Sequence, residues 1–262
     1  MPKQLTAVAV IDLGDFAQPA AQATLARFSQ RSLAGQPLVL RMARRLSECQ
    51  LVDQVMVVGS NMPSEVLTSG IAGIGGVAGI GSLNLGSCHV CERLSAAADH
   101  CHADWVLRVP CNQPFVDPVL VDQLLAKAFA ADHCDYLGYA SSTGDAGCVD
   151  RLGLVGEACH ADALRRLRRN ADRLPADDSA SIASWLENSP GVYQLKFVPL
   201  PSQLDRKDLR FAVQDELDWD DAELLCDTVI NDDSAWQRLA EIVTSNESLR
   251  SSMESRNTED PS

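Results

Sequence analysis

One stretch, Asp104 to Pro118, constrains the fold of this chain more than any other. It opens with a run of strand-forming residues, continues through a polar loop between two prolines, and leads into the helical segment VLVDQLLAKAFAAD. Open α/β sheets place their ligands where a strand ends in a loop ahead of a helix. We therefore expect Asn112, Gln113 and Asp117 to face a crevice beyond the end of this strand.

The segments on either side repeat the alternation of strand and helix. Residues 5–11 (LTAVAVI) and 54–59 (QVMVVG) are apolar runs of buried-strand length, and a helix begins near Pro37 between them. This alternation indicates a mostly parallel sheet covered by helices. We expect one α/β domain over residues 1–244, followed by a disordered acidic tail over residues 245–262. Further strands are predicted at 135–140, 192–200 and 209–213, and further helices at 87–100, 118–131, 161–173, 179–187 and 219–244.

Charge and composition narrow the classes of partner. The formal net charge is −14, and a surface this acidic repels nucleic acid and anionic lipid. Charged or polar residues interrupt each apolar run before it could span a bilayer. The cysteines fall within predicted strands and helices, which is typical of free thiols in a reducing compartment. We expect a cytoplasmic protein that binds neither nucleic acid nor membrane.

A glycine-rich run, GIAGIGGVAGIGS over residues 70–82, superficially resembles a dinucleotide-binding fingerprint. That fingerprint works when its glycines lie directly between a strand and the start of a helix. Here the polar segment SNMPSEVLTS separates the run from its strand. We therefore interpret the run as a connector.

A Cys-x-x-Cys pair, Cys88 and Cys91, is the most prominent alternative site. Such a pair is half of a zinc site, or the start of a thioredoxin-type redox helix. His100, Cys101 and His102 follow, but the two groups lie at opposite ends of one predicted helix. They are about 18 Å apart at the helical rise per residue, so they cannot share one ion. Helix packing is the favoured interpretation, and a metal or redox function of Cys88 and Cys91 is the alternative.

Four segments, taken in order, resemble the cytidylyltransferases that activate sugars and sugar acids. They are AGQPLVLRMARRL (34–46), LVDQVMVVGS (51–60), GSCHVCERLSAAADHCHADWVLRVPCNQPFVDPVLVD (86–122) and LRFAVQDELDWDDAELL (209–225). The family includes the CMP-sialic acid and KDO cytidylyltransferases, and the spore-coat-polysaccharide branch is the most similar. The resemblance implies a three-layer α/β/α nucleotidyltransferase (Rossmann-like) fold with a mostly parallel sheet.

The resemblance also implies a reaction and its partners. In the family, a sugar hydroxyl attacks the α-phosphate of CTP and pyrophosphate leaves, a reaction of surface polysaccharide biosynthesis. Carboxylates hold Mg²⁺ against the phosphate oxygens, and basic groups cradle the triphosphate. CTP or a related nucleotide, a sugar acid, Mg²⁺ where the protein is active, and a homodimer are the expectations that follow.

The family's metal positions are substituted in this chain. The family has a metal-binding aspartate in a Gly-Asp-x-Pro pattern after the central strand, where this chain has Asn112. A second family aspartate is replaced by Gln214, and the carboxylates that could substitute are Asp215 and Glu157. The neutral oxygens of asparagine and glutamine are weaker Mg²⁺ ligands than carboxylates.

The phosphate loop is also changed. Asp12 and Asp15 follow the first strand, where the family has an arginine and a lysine. Two carboxylates repel a triphosphate, and the spacing of Arg27 and Arg31 does not match the family pattern. Charged residues at four other matched positions are candidates for nucleotide or substrate binding: Arg93, Arg108, Asp117 and Arg210.

Loss at several sites removes different contributions to the same transition state. The sequence therefore predicts a cytidylyltransferase-like protein with weak or no transferase activity, a pseudoenzyme. A non-catalytic binding or regulatory protein on the same fold is the alternative.

Overall fold

A computed structural model of the chain describes residues 5–16, 28, 31–62, 80–145, 147–171, 174, 181–187, 192–229 and 234–259. Most of the glycine-rich run, residues 70–79, and Arg27 lie outside the described residues. The end of that run is the start of a strand, Ile80–Leu85. Among the described residues, no helix is both long and apolar enough to cross a membrane.

Seven strands form one sheet in the order β5-β4-β1-β6-β8-β7-β9. Neighbouring strands pair in parallel, except that β8 runs antiparallel to both β6 and β7. This confirms the mostly parallel sheet that the sequence predicted. The strands, with a separate two-residue hairpin formed by β2 and β3, are β1 Ala7–Asp15, β2 Ser32–Leu33, β3 Gln36–Pro37, β4 Gln54–Ser60, β5 Ile80–Leu85, β6 Trp105–Pro110, β7 Tyr136–Ala140, β8 Glu157–His160 and β9 Leu195–Pro199.

Helices cover both faces of the sheet, because β1 and its neighbours are apolar on both sides. Ala9 and Ile11 of β1 join one apolar cluster, whereas Val8 and Val10 join the cluster on the opposite face. The result is the predicted three-layer α/β/α arrangement. The described helices are α1 Leu38–Ser47, α2 Val90–Cys101, α3 Pro118–Ala130, α4 Gly147–Leu152, α5 Ala161–Arg168, α6 Ile182–Glu187, α7 Glu216–Thr228, α8 Trp236–Ser245 and α9 Glu247–Glu259. Residues of α2, α5 and α6 pack on the Val8 face, and residues of α1, α3, α7 and α8 pack on the Ile11 face.

The predicted strand over residues 209–213 does not form. The segment is buried, but its backbone N–H groups bond to the end of α4 and to the loop after β6: Ala212 N donates to the Arg151 carbonyl at 3.2 Å, and Val213 N donates to the Asn112 carbonyl at 2.8 Å. The edge beside β7 is taken by β9. The prediction was wrong because burial alone produces an apolar run, whether or not a neighbouring strand is present.

Part of the C-terminal tail is helical where the sequence predicted disorder. In α9, Leu249 and Met253 are buried, and their spacing of four residues places them on one face of a helix. Arg256 of the same helix pairs with the buried carboxylate of Asp218 at 3.4 Å. The prediction of disorder was therefore wrong over the helix, because the polar composition hid two apolar anchors and a buried ionic partner.

Gly153 provides a test of how the 209–213 segment is held. Its φ is +63°, and a Cβ there would lie 2.4 Å from the backbone nitrogen of Ala212. Gly144 also has a positive φ, +85°, but a Cβ there would meet nothing within 4 Å. An alanine strained at a positive φ costs about 1–2 kcal/mol, and only Gly153→Ala adds a steric clash.

We predict that Gly153→Ala lowers the free energy of unfolding by more than Gly144→Ala does. The difference should be at least about 1 kcal/mol, as expected when a backbone atom must move. Urea unfolding of the two variants and the unmodified chain measures it. Equal losses in the two variants would show that the Ala212 contact contributes nothing.

Candidate functional site

The carboxyl ends of β1, β4 and β6 meet at one edge of the sheet, the place where a ligand crevice is expected. Along β1, the side chains that face α2 are Val8, Val10 and Asp12. The first two are apolar, and the third places a charge at the end of the strand. Asp12 is nevertheless only 5% exposed. A buried carboxylate needs ionic and hydrogen-bonding partners.

Two arginines supply those partners. Arg93 Nε of α2 donates to Asp12 Oδ1 at 3.0 Å, and Arg108 Nε of β6 donates to Asp12 Oδ2 at 3.1 Å. Arg108 also pairs with Glu157 at 3.5 Å. Each of these four side chains belongs to a residue that is no more than 9% exposed. We call Asp12, Arg93, Arg108 and Glu157 the buried ion network.

Glu157, at the start of β8, is satisfied at both oxygens. Its Oε1 accepts from the Tyr136 hydroxyl at 2.9 Å, and its Oε2 accepts from the backbone nitrogen of Ile182 at 3.1 Å. Ile182 is the first residue of α6, so the carboxylate also neutralises the positive end of that helix. The carboxylate is therefore committed to contacts within the protein and is not a free metal ligand.

The network fixes the charge of its members. Burial alone would raise the pKa of Asp12, but the charges of Arg93 and Arg108 outweigh it and hold the pKa below the usual 3.8. Burial acts to lower the pKa of Arg108, but Asp12 and Glu157 raise it above the usual value. Burial and the Glu157 carboxylate raise the pKa of Tyr136, which therefore remains a hydrogen-bond donor. The network contains two arginine side chains and two carboxylates, which pair with one another.

A backbone hydrogen bond joins the loop that contains Asn112 to the segment before Gln214. Val213 N donates to the carbonyl of Asn112 at 2.8 Å, which places the neighbouring Gln214 beside the loop after β6. Gln214 Oε1 accepts from Arg210 Nη2 at 2.8 Å. Asp215 is next in the chain, and its carboxylate caps α7 by accepting from Asp218 N at 2.8 Å. The backbone of Asn112 thus lies next to the segment that leads to Gln214 and Asp215, whereas Glu157 belongs to the buried ion network.

Arg210 is a structural partner of the C-terminal helices. Its guanidinium donates two hydrogen bonds to the Asp218 carboxylate, from Nε to Oδ1 at 2.8 Å and from Nη2 to Oδ2 at 3.1 Å. Two parallel charge-assisted hydrogen bonds of this kind are strong and directional. Arg93, Arg108 and Arg210, three of the four predicted binding residues, are therefore engaged by carboxylates of the protein itself.

Asp117 and Gln113 do not face the crevice, contrary to the prediction. Asp117 is 2% exposed and caps α3 by accepting from Val119 N at 3.0 Å, while its second oxygen accepts from Trp236 N at 3.1 Å. Gln113 is also 2% exposed. The loop turns inward because the first turn of α3 has N–H groups that require a side-chain acceptor.

A polar niche beside the network was missed by the sequence reasoning. Asp15, the last residue of β1, accepts from Asn61 Nδ2 at 2.8 Å and from Ser87 Oγ at 2.5 Å. Asn61 directly follows β4, and Ser87 lies shortly after β5. Polar residues just beyond buried strands were the available signal. Arg31 does not offset these acids, since it pairs with Glu216 at 2.6 Å and stacks on Trp219.

The Cys-x-x-Cys pair does not have the features of a redox or zinc site. Cys88 and Cys91 are not joined by a disulfide, and Cys88 Sγ lies 3.2 Å from Ser60 Oγ. Burial raises the pKa of Cys88, whereas a redox-active thiol at a helix start has a lowered pKa. Among the residues that the structure describes, no three His, Cys, Asp or Glu side chains are grouped so that they could hold a metal ion.

Residues 29–192 match the family described as the MobA-like NTP transferase domain. The chain belongs to this family. No curated protein sequence matches it. The resemblance to nucleotidyltransferases that the sequence indicated is therefore confirmed at the level of the family.

Several solved structures share the fold of this MobA-like NTP transferase domain. A cytidylyltransferase from Leptospira borgpetersenii has 15% sequence identity and a TM-score of 0.74, over 94% of this chain and 97% of its own. A CMP:2-keto-3-deoxy-manno-octonic acid synthetase solved with CTP has 14% identity and a TM-score of 0.55, over 85% of this chain and 98% of its own. A Mycobacterium tuberculosis protein solved with manganese has 11% identity and a TM-score of 0.54, over 85% and 100%. At these identities, the likeness shows the fold.

We predict that Asp12→Asn strongly destabilises this NTP transferase domain. The substitution leaves Arg93 and Arg108 buried without their shared anion, and breaking a buried ion pair costs about 3–5 kcal/mol. The matched control is Glu241→Gln, which removes an exposed partner of Arg238 and should cost less than about 1 kcal/mol. Urea unfolding near neutral pH measures both.

The same variant gives a test in acid. Because the folded-state pKa of Asp12 lies below 3.8, its stabilisation is complete above that pH and is lost as the pH falls through the folded-state pKa. The stability gap between the unmodified chain and Asp12→Asn should therefore narrow only in strong acid. A gap that is already closed at pH 6 would contradict the pairing.

Proposed function

We propose that this chain is a cytidylyltransferase-like protein with weak or no ability to transfer a nucleotidyl group from CTP to a sugar or sugar acid. The observation that carries the proposal is the buried ion network, in which Arg93 and Arg108 are neutralised by Asp12 and Glu157. Arg93 and Arg108 stand at sequence positions that resemble charged positions of cytidylyltransferases, whereas Asp12 stands where the family has a basic loop.

A triphosphate needs positive charge that is not already matched. For Arg93 or Arg108 to contact a phosphate, the guanidinium must leave Asp12, which is 5% exposed. That movement would strand a carboxylate in the protein interior, at an energetic cost of several kcal/mol. Arg31 is held by Glu216 and the Trp219 ring. The basic groups near the crevice thus stabilise the fold and are poorly placed to stabilise a nucleotide.

The residues at the metal positions do not fit Mg²⁺. Asn112 and Gln214 offer neutral amide oxygens, and Mg²⁺ is held in proteins chiefly by carboxylates. The Gln214 oxygen already accepts a hydrogen bond from Arg210 at 2.8 Å, and the guanidinium charge repels a second cation. We therefore derive no catalytic step through Mg²⁺ in this chain.

Without the metal and the phosphate loop, this site lacks two sources of charge stabilisation for in-line phosphoryl chemistry. In an acyl-transfer enzyme, removing one preorganised hydrogen-bond donor already reduces the rate about 100–1,000-fold. A non-catalytic binding or regulatory role on the same fold is the second candidate. It is favoured by the niche around Asp15, where a buried carboxylate accepts hydrogen bonds from the exposed side chains of Asn61 and Ser87.

The proposal predicts little pyrophosphate release when the purified protein is given CTP, Mg²⁺ or Mn²⁺, and a panel of sugar acids. Release should not exceed that of an Asn112→Ala variant, because Asn112 holds no catalytic metal. A coupled pyrophosphate assay measures this. Robust release that Asn112→Ala abolishes would refute the proposal.

A variant that restores both carboxylates sharpens the experiment. Asn112→Asp with Gln214→Asp should increase Mn²⁺ affinity, measured by electron paramagnetic resonance of free Mn²⁺. The matched control adds the same charge on exposed sites, as Asn170→Asp with Gln237→Asp, and should not. Equal Mn²⁺ affinity of the two double variants would show that residues 112 and 214 do not form the family's metal position.

A further inference from the structure

A groove with a volume of about 790 Å³ lies at the opposite edge of the sheet from the crevice. Its lining includes Trp105, the first residue of β6, and His160, the last residue of the antiparallel β8. Three arginines of the basic segment that contains α5 also line it: Arg165, Arg166 and Arg169. The apolar side chains of α5 pack on the sheet, and the proposed function does not use the arginines of this segment.

The carboxylates of the groove are matched within the protein. Asp162 pairs with Arg165 at 2.6 Å. Asp135 pairs with Arg166 and also accepts from Gln194 N at 2.9 Å. Each acid in the lining is thus neutralised by its own arginine, and neither is left to repel an incoming anion.

Arg169 supplies the excess positive charge. It is exposed and lines the groove just after the end of α5. In the described part of the chain, it forms no ion pair. Two neighbouring guanidinium groups are already matched, so the lining carries a net positive charge through Arg169. On a protein with a net charge of −14, such a local site is what attracts a small anion.

His160 adds a directed donor. Its Nδ1 accepts a hydrogen bond from Asp162 N at 3.3 Å, so the ring proton of the neutral imidazole is on Nε2. The ring is packed edge-on against Trp105, with centroids 5.3 Å apart. The imidazole is therefore held in place by contacts on two sides and presents an N–H donor. His133, which is exposed on the turn before β7, also lines the groove.

Apart from Gln194, the rest of the lining is apolar and includes Val192, whose exposure of 56% is among the highest of the large hydrophobic residues. Ala128 and Ala131 also line the groove. Pockets for small molecules typically have about 300–1,000 Å³ and combine apolar walls with a few placed polar groups. The groove has the size and the mixture of surfaces that such a ligand requires.

We propose that this groove binds a small phosphomonoester, whose phosphate contacts Arg169 and the Nε2–H of His160 and whose apolar part lies against Val192. A guanidinium binds phosphate through two parallel hydrogen bonds, which an ammonium cannot reproduce. The groove is separate from the crevice, so a test of this proposal does not depend on the proposed function.

Phenyl phosphate is a suitable probe, because it combines a phosphate with a small apolar ring. We expect it to bind the full-length protein in calorimetry, whereas benzyl alcohol, which lacks the anion, should not. Arg169→Ala should weaken binding at least about tenfold, the lower range for a lost charge-assisted hydrogen bond. Arg169→Lys keeps the charge but loses the two parallel hydrogen bonds of the guanidinium, so this variant should bind phenyl phosphate with intermediate affinity.

Arg168→Ala is the matched control. Arg168 is the last residue of α5, directly before Arg169, and carries the same charge, but it pairs with Asp99 at 3.5 Å and does not line the groove. Its removal should change the affinity less than twofold. The proposal is overturned if phenyl phosphate does not bind, if the two alanine variants lose affinity equally, or if the ligand shifts the NMR amide signals of Asn61 and Asn112 at the crevice instead of those of His133 and His160.

Discussion

The pairing of Asp12 with two buried arginines is the interaction on which the rest of the structure depends. It joins β1 to α2 through Arg93 and to β6 through Arg108. Through Glu157 it continues to β8 and to the first turn of α6. A charge placed at the end of a buried strand can be kept only if such partners surround it. One carboxylate therefore dictates which elements pack on one face of the sheet.

Under the proposed function, the ion pairs that stabilise the fold reduce the positive charge that could bind a nucleotide. On that proposal, arginines that would have to be free to neutralise a nucleotide are instead paired with carboxylates that join the layers. Arg210 is likewise held by Asp218, and the C-terminal helix adds Arg256 to the same carboxylate. The loop that contains Asn112 lies against the segment that leads to Gln214, and both of these side chains are neutral. The NTP transferase fold is preserved, while the charge pattern suits internal pairing.

The sequence predicted most of the fold, because long apolar runs such as 54–59 and the strand–loop–helix around residue 110 carry their own periodicity. It missed β8, whose four residues are too short to show a pattern. It also placed Asp117 in the crevice, because a helix cap and a ligand contact use the same residue types. The ion pairs were out of reach, since Arg93 and Arg108 lie 81 and 96 residues from Asp12.

Calorimetric titration of the unmodified protein with CTP, carried out with and without Mg²⁺, tests the central claim most directly. If the arginines are neutralised within the fold and the metal positions are neutral, CTP should bind weakly or not at all, and Mg²⁺ should not increase its affinity. Tight CTP binding that requires Mg²⁺ would mean that the crevice gathers enough free charge to hold a triphosphate, and it would contradict this account.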